Sequence, residues 1–406
     1  MKIRFCKNCL YSTLHPLGIT IFENGLCSGC VIHQEKNKLN WKSRWEQLEK
    51  IITKYYKSSN EYDCIVPVTG AQDSFFIVYN VVKKLGLKPL LVNHNKYFNT
   101  EIGIHNLANL RIKFNCDILY QNINPETVRK LTKNSLIKMG SMYWPVIAGN
   151  TSFPVNIAKK YKIPLIIWGA HQGLEQVGMF SHLHNIEMTK RYRKDHDLMG
   201  FDESNLISNF NNLNEKDLYN FKYPSLESIY RNKIIGIYLG NYIRWDPKVQ
   251  HEKMINKFDY KTDYQNRTFE KYENTDCYNY MNIHDLLKLY KHGYSKVTDH
   301  VCREIRFKRI SRDYGIKLIK KYERKKIKYL DLFCEWLGID NKSLEFSINQ
   351  HRNPIFWRKI DNRFQFKGLS TLLKDSGKIT SKDSKFENSY VLNPFKTTIK
   401  KYVTFG

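Results

Sequence analysis

The sequence of 406 residues lacks any apolar run of the roughly 18 to 20 residues that a membrane-spanning helix needs. Its first residues, MKIRFCKNC, contain neither the apolar segment nor the cleavage site of a secretory signal peptide. We therefore expect a soluble, cytoplasmic protein with no membrane partner. Hydrophobic residues make up 42% of the chain, which predicts a sizeable core and, at this length, two or three domains.

The two most common nucleotide-binding motifs are also missing, since the chain has neither GxxxxGK[ST] nor GxGxxG. Instead, an apolar run at 64–68 ends in TGAQDS, and an amphipathic helical pattern follows at once. The free N–H groups and positive dipole end of such a helix favour an anion, so the sequence predicts a phosphate-binding loop. A capped strand-to-helix turn without a ligand is the alternative. The loop residues are Thr69, Gly70, Ala71, Gln72, Asp73 and Ser74.

This loop resembles SGGxDS, the PP-loop of the ATP pyrophosphatases, which split ATP into AMP and pyrophosphate. Thr69 stands in place of serine and keeps a hydroxyl group. Ala71 stands in place of glycine, and its Cβ would be unfavourable if the backbone bent around a phosphate had a positive φ here.

Nine cysteines in a chain expected in the cytoplasm favour metal or thiol chemistry over disulfides. Four of them form the pairs CKNC and CSGC, which residues 10–26 separate. This spacing predicts a ribbon closed on one tetrahedral Zn²⁺, and the site is structural because four thiolates leave no open position. Unligated thiols or an iron–sulfur cluster are the alternatives. The predicted ligands are Cys6, Cys9, Cys27 and Cys30.

Beyond the ribbon, short apolar runs alternate with helical patterns. The predicted strands are 64–68, 89–93, 116–120, 164–168 and 234–239, and the helices between them are 73–85, 101–114, 125–138 and 150–161. This alternation predicts an α/β fold with a doubly wound parallel sheet, in which ligands lie beyond the carboxyl ends of the strands. From about residue 280 the pattern becomes wholly helical. We predict a zinc ribbon at 1–35, an α/β domain at 36–275, a helical C-terminal domain at 276–373 and a polar basic tail at 374–406.

The formal net charge of +27 would suit a nucleic-acid-binding protein. The basic residues are spread along the chain, however, and no aromatic-and-basic RNA motif such as RNP1 is present. We prefer a compositional bias combined with small anionic substrates, and RNA binding is the alternative.

A series of sequence blocks carries a family resemblance over nearly the whole chain. In order they are CKNCLYSTLHPLGITIFENGLCSGC, YDCIVPVTGAQDS, NTEIGIHNLANL, FPVNIAKKYKIPLIIWGAHQ, GIYLGNYIRWDP and GYSKVTDHVCREIRFKRISRDYGIKLIKKY. The chain resembles the bacterial N-acetyl sugar amidotransferases of surface-polysaccharide and nonulosonic-acid pathways. The resemblance implies a PP-loop ATP pyrophosphatase sheet of the HUP type and the conversion of a sugar N-acetyl group to an acetamidino group. It also implies ATP, an acetamido sugar or sugar nucleotide, and ammonia from a separate glutaminase subunit of the histidine-biosynthesis type.

The chemistry of that reaction assigns roles to the loop. An amide oxygen is a poor leaving group, so it would attack the α-phosphorus of ATP to give an O-adenylyl imidate and pyrophosphate, and ammonia would then displace AMP. The loop would hold the pyrophosphate through N–H and hydroxyl donors. Asp73 is either a Mg²⁺ ligand or an ordinary carboxylate at a helix start.

Two further groups of candidates follow. After the fourth strand come Gly169, His171 and Glu175. Glu175 is the better metal candidate, whereas His171 either binds phosphate or the imidate or is a hydrogen-bonded loop histidine. Lys296 and Arg306 either neutralise pyrophosphate or a nucleotide-linked sugar, or belong to a solvated helix face.

Other functions stay open at this point. The stretch GSMYWP departs from a GDxC-like sequence of the family, so an inactive or regulatory paralogue that binds nucleotide is one alternative. A zinc-ribbon PP-loop tRNA thiolase is another, although the chain has no CxxC after Cys30 to supply its paired active-site cysteines. A nucleotide-sensing scaffold is the non-enzymatic possibility.

Overall fold

The computed structural model describes residues 3–56, 61–210, 212–361 and 363–376. Its main sheet has five parallel strands in the order β3-β2-β1-β4-β5. These strands are β1 Cys64–Pro67, β2 Pro89–His94, β3 Ile118–Gln121, β4 Leu165–Trp168 and β5 Ile235–Tyr238. The predicted α/β class and the five predicted strands are confirmed, with shifts of one or two residues at their ends.

Helices surround this sheet and form most of the C-terminal part. They are α1 Ser28–Glu35, α2 Trp41–Tyr55, α3 Gln72–Tyr79, α4 Glu101–Phe114, α5 Pro125–Met139, α6 Trp144–Tyr161, α7 Gln172–Glu175, α8 Lys190–Tyr192, α9 Glu203–Asn209, α10 Glu215–Leu218, α11 Leu226–Arg231, α12 Pro247–Phe258, α13 Asp285–His292, α14 Lys296–Arg306, α15 Arg312–Tyr322, α16 Leu330–Leu337, α17 Asn341–Asn349 and α18 Leu369–Lys374. Short π-helical segments extend α3 at Asn80–Lys84 and α8 at Arg193–Asp197, and a third precedes α13 at Tyr280–His284. The predicted tail lies outside the described residues from 377 onward.

Successive residues of each strand point to opposite faces of the sheet. Hydrophobic side chains of the surrounding helices pack against both faces. Cys64 and Val66 join one hydrophobic cluster with α2, α3 and α12. Ile65 joins a second cluster with residues of α6 on the other face. The strand order reverses beside β1, because β2 pairs with one edge of β1 and β4 pairs with the other. Ligand sites of doubly wound sheets lie at this reversal, beyond the carboxyl ends of the strands.

The C-terminal part is not wholly helical, so that prediction was wrong for residues 357–366. An antiparallel hairpin is formed there by β6 Trp357–Ile360 and β7 Arg363–Phe366. Trp357 pairs with Phe366, and both side chains are buried. The alternating apolar and basic residues of WRKI and RFQF fit the period of a strand.

None of the helices in the described part of the chain combines the length and the apolar character needed to cross a membrane.

Close packing between α6 and β2 leads to a prediction about Gly149. A Cβ at this position would lie 2.2 Å from the Nε2 atom of His94. A helical Gly→Ala change ordinarily gains about 1 kcal/mol, but here the overlap should reverse the sign, and we expect Gly149→Ala to lower the free energy of unfolding by about 1 to 3 kcal/mol. Urea denaturation measures this change, and removing the ring with His94→Ala should lessen the effect of Gly149→Ala. Equal effects in both backgrounds would contradict the packing argument.

Candidate functional site

A cleft of about 190 Å³ opens at the carboxyl ends of β1 and β4. Thr69, Asp73 and Ser74 of the predicted loop line it, together with Gly169 after β4. The structure therefore brings together two of the sequence segments that we expected at this sheet edge. The lining also includes His94 of β2, Asn150 of α6 and Trp168 of β4, and of these the sequence did not indicate Asn150.

The loop is held by its own hydroxyl groups. Ser74 Oγ accepts the N–H of Thr69 at 3.0 Å, and Thr69 Oγ1 accepts the N–H of Ala71 at 3.2 Å. Since each hydroxyl acts here as an acceptor, its own O–H remains able to donate to a ligand. The Gln72 side chain forms its hydrogen bond outside the loop, because its Oε1 accepts the N–H of Asn274 at 2.9 Å.

The backbone conformations at positions 70 and 71 explain why the first position needs glycine and the second accepts alanine. Gly70 has φ +77°, and a Cβ would lie 2.8 Å from the carbonyl oxygen of Gly103, so glycine is required there. Ala71 has φ −76° and ψ 176°, which any residue adopts. The positive φ considered for Ala71 is therefore wrong, and alanine causes no backbone strain. Ala71 also makes no side-chain cap for α3, which leaves the N–H groups of its first turn free of a capping side chain.

Asp73 lies in the first turn of α3 and its side chain is 36% exposed. Its Oδ1 atom lies 3.6 Å from Nε2 of His251, which is completely buried on α12. Sequence reasoning missed His251, since a histidine within a charged helix carries no local signal. His94 lies in the segment after the second predicted strand, at the sheet edge where ligands were expected.

His171 lies next to the cleft in sequence but is not among the residues that line it. Its Nδ1 atom accepts the N–H of Gly173 at 2.9 Å, at the start of α7. Its ring contacts those of Phe180, Tyr192 and Tyr238. Burial lowers the pKa of His171 to about 3. The structure thus favours the second of the two roles considered for His171, that of a hydrogen-bonded loop histidine.

Glu175 is not among the residues that line the cleft. It forms an ion pair with Lys36, whose side chain is 1% exposed and also donates to the carbonyl oxygen of Trp245 at 3.2 Å. A carboxylate paired with a buried cation is poorly placed to bind a metal ion. The structure therefore assigns Glu175 to the contact between α1 and α7 rather than to a cofactor.

Lys296 also lies inside the protein. Its Nζ atom donates to Oε1 of Gln265 at 2.7 Å, and its backbone N–H donates to Asp285. Burial lowers the pKa of Lys296 to about 8. The cleft is not lined by Lys296, so the pyrophosphate-binding role predicted for it has no support in this position.

The four cysteines of the two CxxC pairs form a buried cluster, with all four sulfurs within 4.8 Å of one another. The Sγ atoms of Cys6 and Cys30 are 3.8 Å apart, and those of Cys9 and Cys27 are 3.6 Å apart. A tetrahedral ion with bonds of about 2.3 Å places its sulfurs about 3.8 Å apart, so the cluster fits a single metal ion. A polynuclear iron–sulfur cluster would hold its cysteines farther apart, since the cluster itself lies between them.

Arg306 lies against this cluster and not in the cleft. Its Nη2 atom is 3.6 Å from Sγ of Cys27, and its Nη1 atom donates to the carbonyl oxygens of Glu175 and Gln176 at 3.2 and 2.8 Å. Burial disfavours the charged guanidinium, but the neighbouring cysteine sulfurs hold the pKa of Arg306 above its usual value. We assign Arg306 to the cysteine cluster instead of the predicted pyrophosphate site.

A known protein family matches the C-terminal part of the chain. Residues 250–370 match the family model described as "LPS biosynthesis protein WbpG-like, C-terminal domain". This stretch begins within α12 and ends within α18, and it indicates a role in polysaccharide biosynthesis. No curated protein matches the chain at a significant level.

The contacts of Arg306 predict its effect on the metal ion. Arg306→Lys keeps the charge but cannot reach both carbonyls and a sulfur, and outer-shell changes of this kind lower metal affinity by about 10- to 100-fold. Competition with a chelator, followed by metal analysis, measures the affinity. Arg309→Lys is the matched control, because Arg309 pairs with Asp246 and Glu304 instead. Equal metal retention in Arg306→Lys and the wild type would exclude the outer-shell role.

Proposed function

We propose that this protein is an ATP-dependent, AMP-forming amidotransferase that converts a sugar N-acetyl group to an acetamidino group in surface glycan biosynthesis. The observation that carries the proposal is the loop at 69–74. It joins the central strand to a helix start without a capping side chain, at the edge where the strand order reverses. The match of residues 250–370 to a lipopolysaccharide biosynthesis family supports the pathway.

The loop fits the phosphate groups of ATP. Gly70 gives it a conformation that a Cβ would not permit, the first-turn N–H groups of α3 favour an anion, and Thr69 and Ser74 each keep a hydroxyl proton to donate. Pyrophosphate would leave toward these donors. Asp73 is the carboxylate of the loop that lines the cleft and is the proposed Mg²⁺ ligand. The bound metal ion would offset the charge on the phosphate oxygens.

The reaction proceeds through an O-adenylyl imidate. The acetamido oxygen of the sugar attacks the α-phosphorus, the bond to pyrophosphate breaks, and AMP is later displaced by ammonia. We propose that a separate glutaminase subunit supplies the ammonia and that the acceptor is an acetamido sugar or its nucleotide derivative. His94, Asn150 and Trp168 lie opposite the loop in the cleft, where they are placed to contact that acceptor.

The cysteine cluster is proposed to bind Zn²⁺ with a structural role, because four thiolates leave no position for a substrate. Arg306 packs against the cluster and donates hydrogen bonds to the carbonyl oxygens of Glu175 and Gln176, at the end of α7. None of the nine cysteines forms a disulfide, which is consistent with the proposed cytoplasmic location.

The products of the reaction test the proposal. Purified protein with its glutaminase, glutamine, Mg²⁺-ATP and a panel of UDP- and CMP-linked acetamido sugars should release AMP and pyrophosphate and give an amidino sugar, as measured by mass spectrometry. Asp73→Asn should lower AMP release by at least about 100-fold, because a metal contact in the reacting complex is lost, while the zinc content stays unchanged. Absence of AMP and amidino product with every sugar would reject the amidotransferase. Sulfur transfer to tRNA would favour the thiolase.

The loop geometry predicts opposite outcomes at two adjacent positions. Gly70→Ala should abolish ATP binding, because its φ of +77° and the close carbonyl of Gly103 exclude a Cβ. Ala71→Gly restores the residue typical of the motif but should leave ATP binding and turnover unchanged, because φ is −76° there. Calorimetric titration with ATP compares the two variants. A large gain in activity for Ala71→Gly would show that alanine impairs the loop after all.

A further inference from the structure

His251 lies outside the cleft but close to Asp73, which lines it. It is completely buried, and among the described residues neither of its ring nitrogens has a hydrogen-bond partner. A buried imidazole always carries at least one N–H donor, and leaving it unpaired is costly. An acceptor for this donor is therefore expected nearby.

Two carboxylates interact with His251. One of them, Glu273, already has other partners, whereas Asp73 is placed to accept the N–H of the imidazole. Glu273 forms an ion pair with Arg303 and accepts from Nε2 of His300 at 2.9 Å. Burial opposes ionisation, but Arg303 and His300 keep the pKa of Glu273 below its usual value, with a smaller effect of His251. Asp73 is the other carboxylate, and its Oδ1 atom lies 3.6 Å from Nε2 of His251. Within the described residues, no competing ion pair engages Asp73.

The ring of His251 is held in a fixed orientation. It contacts the rings of Tyr260 and Tyr272, at centroid distances of 6.3 and 4.6 Å. Tyr260 is itself fixed, because its hydroxyl donates to the carbonyl oxygen of Tyr272 at 2.8 Å and its ring contacts Phe75 of α3. The imidazole therefore stays in place while the partly exposed carboxylate of Asp73 can move toward it.

We propose that His251 is a positioning residue that donates a hydrogen bond from Nε2 to one oxygen of Asp73 and so directs the other oxygen into the cleft. This inference rests on the proposed function, in which that second oxygen binds Mg²⁺-ATP. The separation of 3.6 Å is longer than a hydrogen bond. The bond forms when the carboxylate turns toward the metal ion, because functional hydrogen bonds commonly tighten only in the loaded complex.

The arrangement also links the family-matched segment to the loop. His251, Glu273, His300 and Arg303 all lie within residues 250–370. Through them α14 is connected to Asp73, which lies far outside that segment. The segment at 250–370 thus positions Asp73, the proposed metal ligand, although none of the described residues that line the cleft belongs to this segment.

Binding of Mg²⁺-ATP to purified, zinc-loaded protein tests the inference by calorimetry, without any sugar. His251→Leu removes the donor and should weaken Mg²⁺-ATP binding by about 10- to 100-fold, as loss of a second-layer partner does, with little effect on ATP binding when no Mg²⁺ is added. His251→Gln retains an N–H donor of similar reach and should recover most of the affinity. The matched control is His105→Leu, since His105 lies 4.0 Å from Asp259 in an exposed pair and should bind like the wild type.

A double-mutant cycle separates positioning from a general packing effect. In an Asp73→Asn background, His251→Leu should cause much less additional loss of Mg²⁺-ATP affinity. Urea denaturation of the ligand-free variants should show nearly additive effects of the two changes, because the bond forms only in the loaded complex. Equal effects of His251→Leu in both backgrounds, or no rescue by His251→Gln, would overturn the inference. If the wild type binds Mg²⁺-ATP and His251→Leu binds it equally well, only this inference is overturned. A wild type that binds no ATP overturns the proposed function with it.

Discussion

The buried guanidinium of Arg306 joins three parts of the chain that are far apart in sequence. It lies at the end of α14, faces the sulfur of Cys27 and donates to two carbonyls of α7. A buried cation without partners is strongly unfavourable, so Arg306 requires the thiolates, and the crowded thiolates are stabilised by its charge. Because α7 begins soon after Gly169, the position of the second wall of the cleft depends on this contact. The four cysteines belong to one hydrophobic cluster with Leu174 of α7 and with Val301 and Ile319 of the C-terminal helices.

A second set of buried charges connects the C-terminal helices to the sheet. Arg303 pairs with Glu270 and Glu273, and Arg309 pairs with Asp246 just before α12. Each of these carboxylates is at most 12% exposed. Removing one member of such a pair leaves an uncompensated charge, whereas truncating an apolar side chain at the same place would leave only a cavity. The C-terminal segment is therefore held in one specific position against α12, and α12 packs against the helix that carries Asp73.

Local patterns in the sequence were sufficient for much of the fold. The apolar runs and their helical spacers predicted the five strands, because β1, β2 and β4 are largely buried on both faces and even the half-exposed β3 begins with apolar residues. The CxxC spacing predicted the cysteine cluster. The partners of long polar side chains could not be predicted in this way. Glu175 and Lys36 are 139 positions apart, and Arg306 and Cys27 are 279 apart, so no local pattern relates them. The hairpin at 357–366 was missed because a basic strand with few buried residues resembles the polar segments around it. The identity of Ala71 suggested strain that its φ of −76° rules out.

The family match covers the segment whose polar side chains depend most on the rest of the chain. Within residues 250–370, His251 faces Asp73, and Arg306 faces both α7 and the cysteine sulfurs. Asp276 pairs with Lys96 in the loop after β2. All of these partners lie outside the matched segment. If the segment stood alone, its buried His251, Asp276 and Arg306 would each face solvent or an empty space, so its sequence is adapted to a surface that the ribbon and the sheet provide. In this chain the buried polar groups of the matched segment are therefore complete only when the loop that carries Asp73 and the cysteine cluster are part of the same fold.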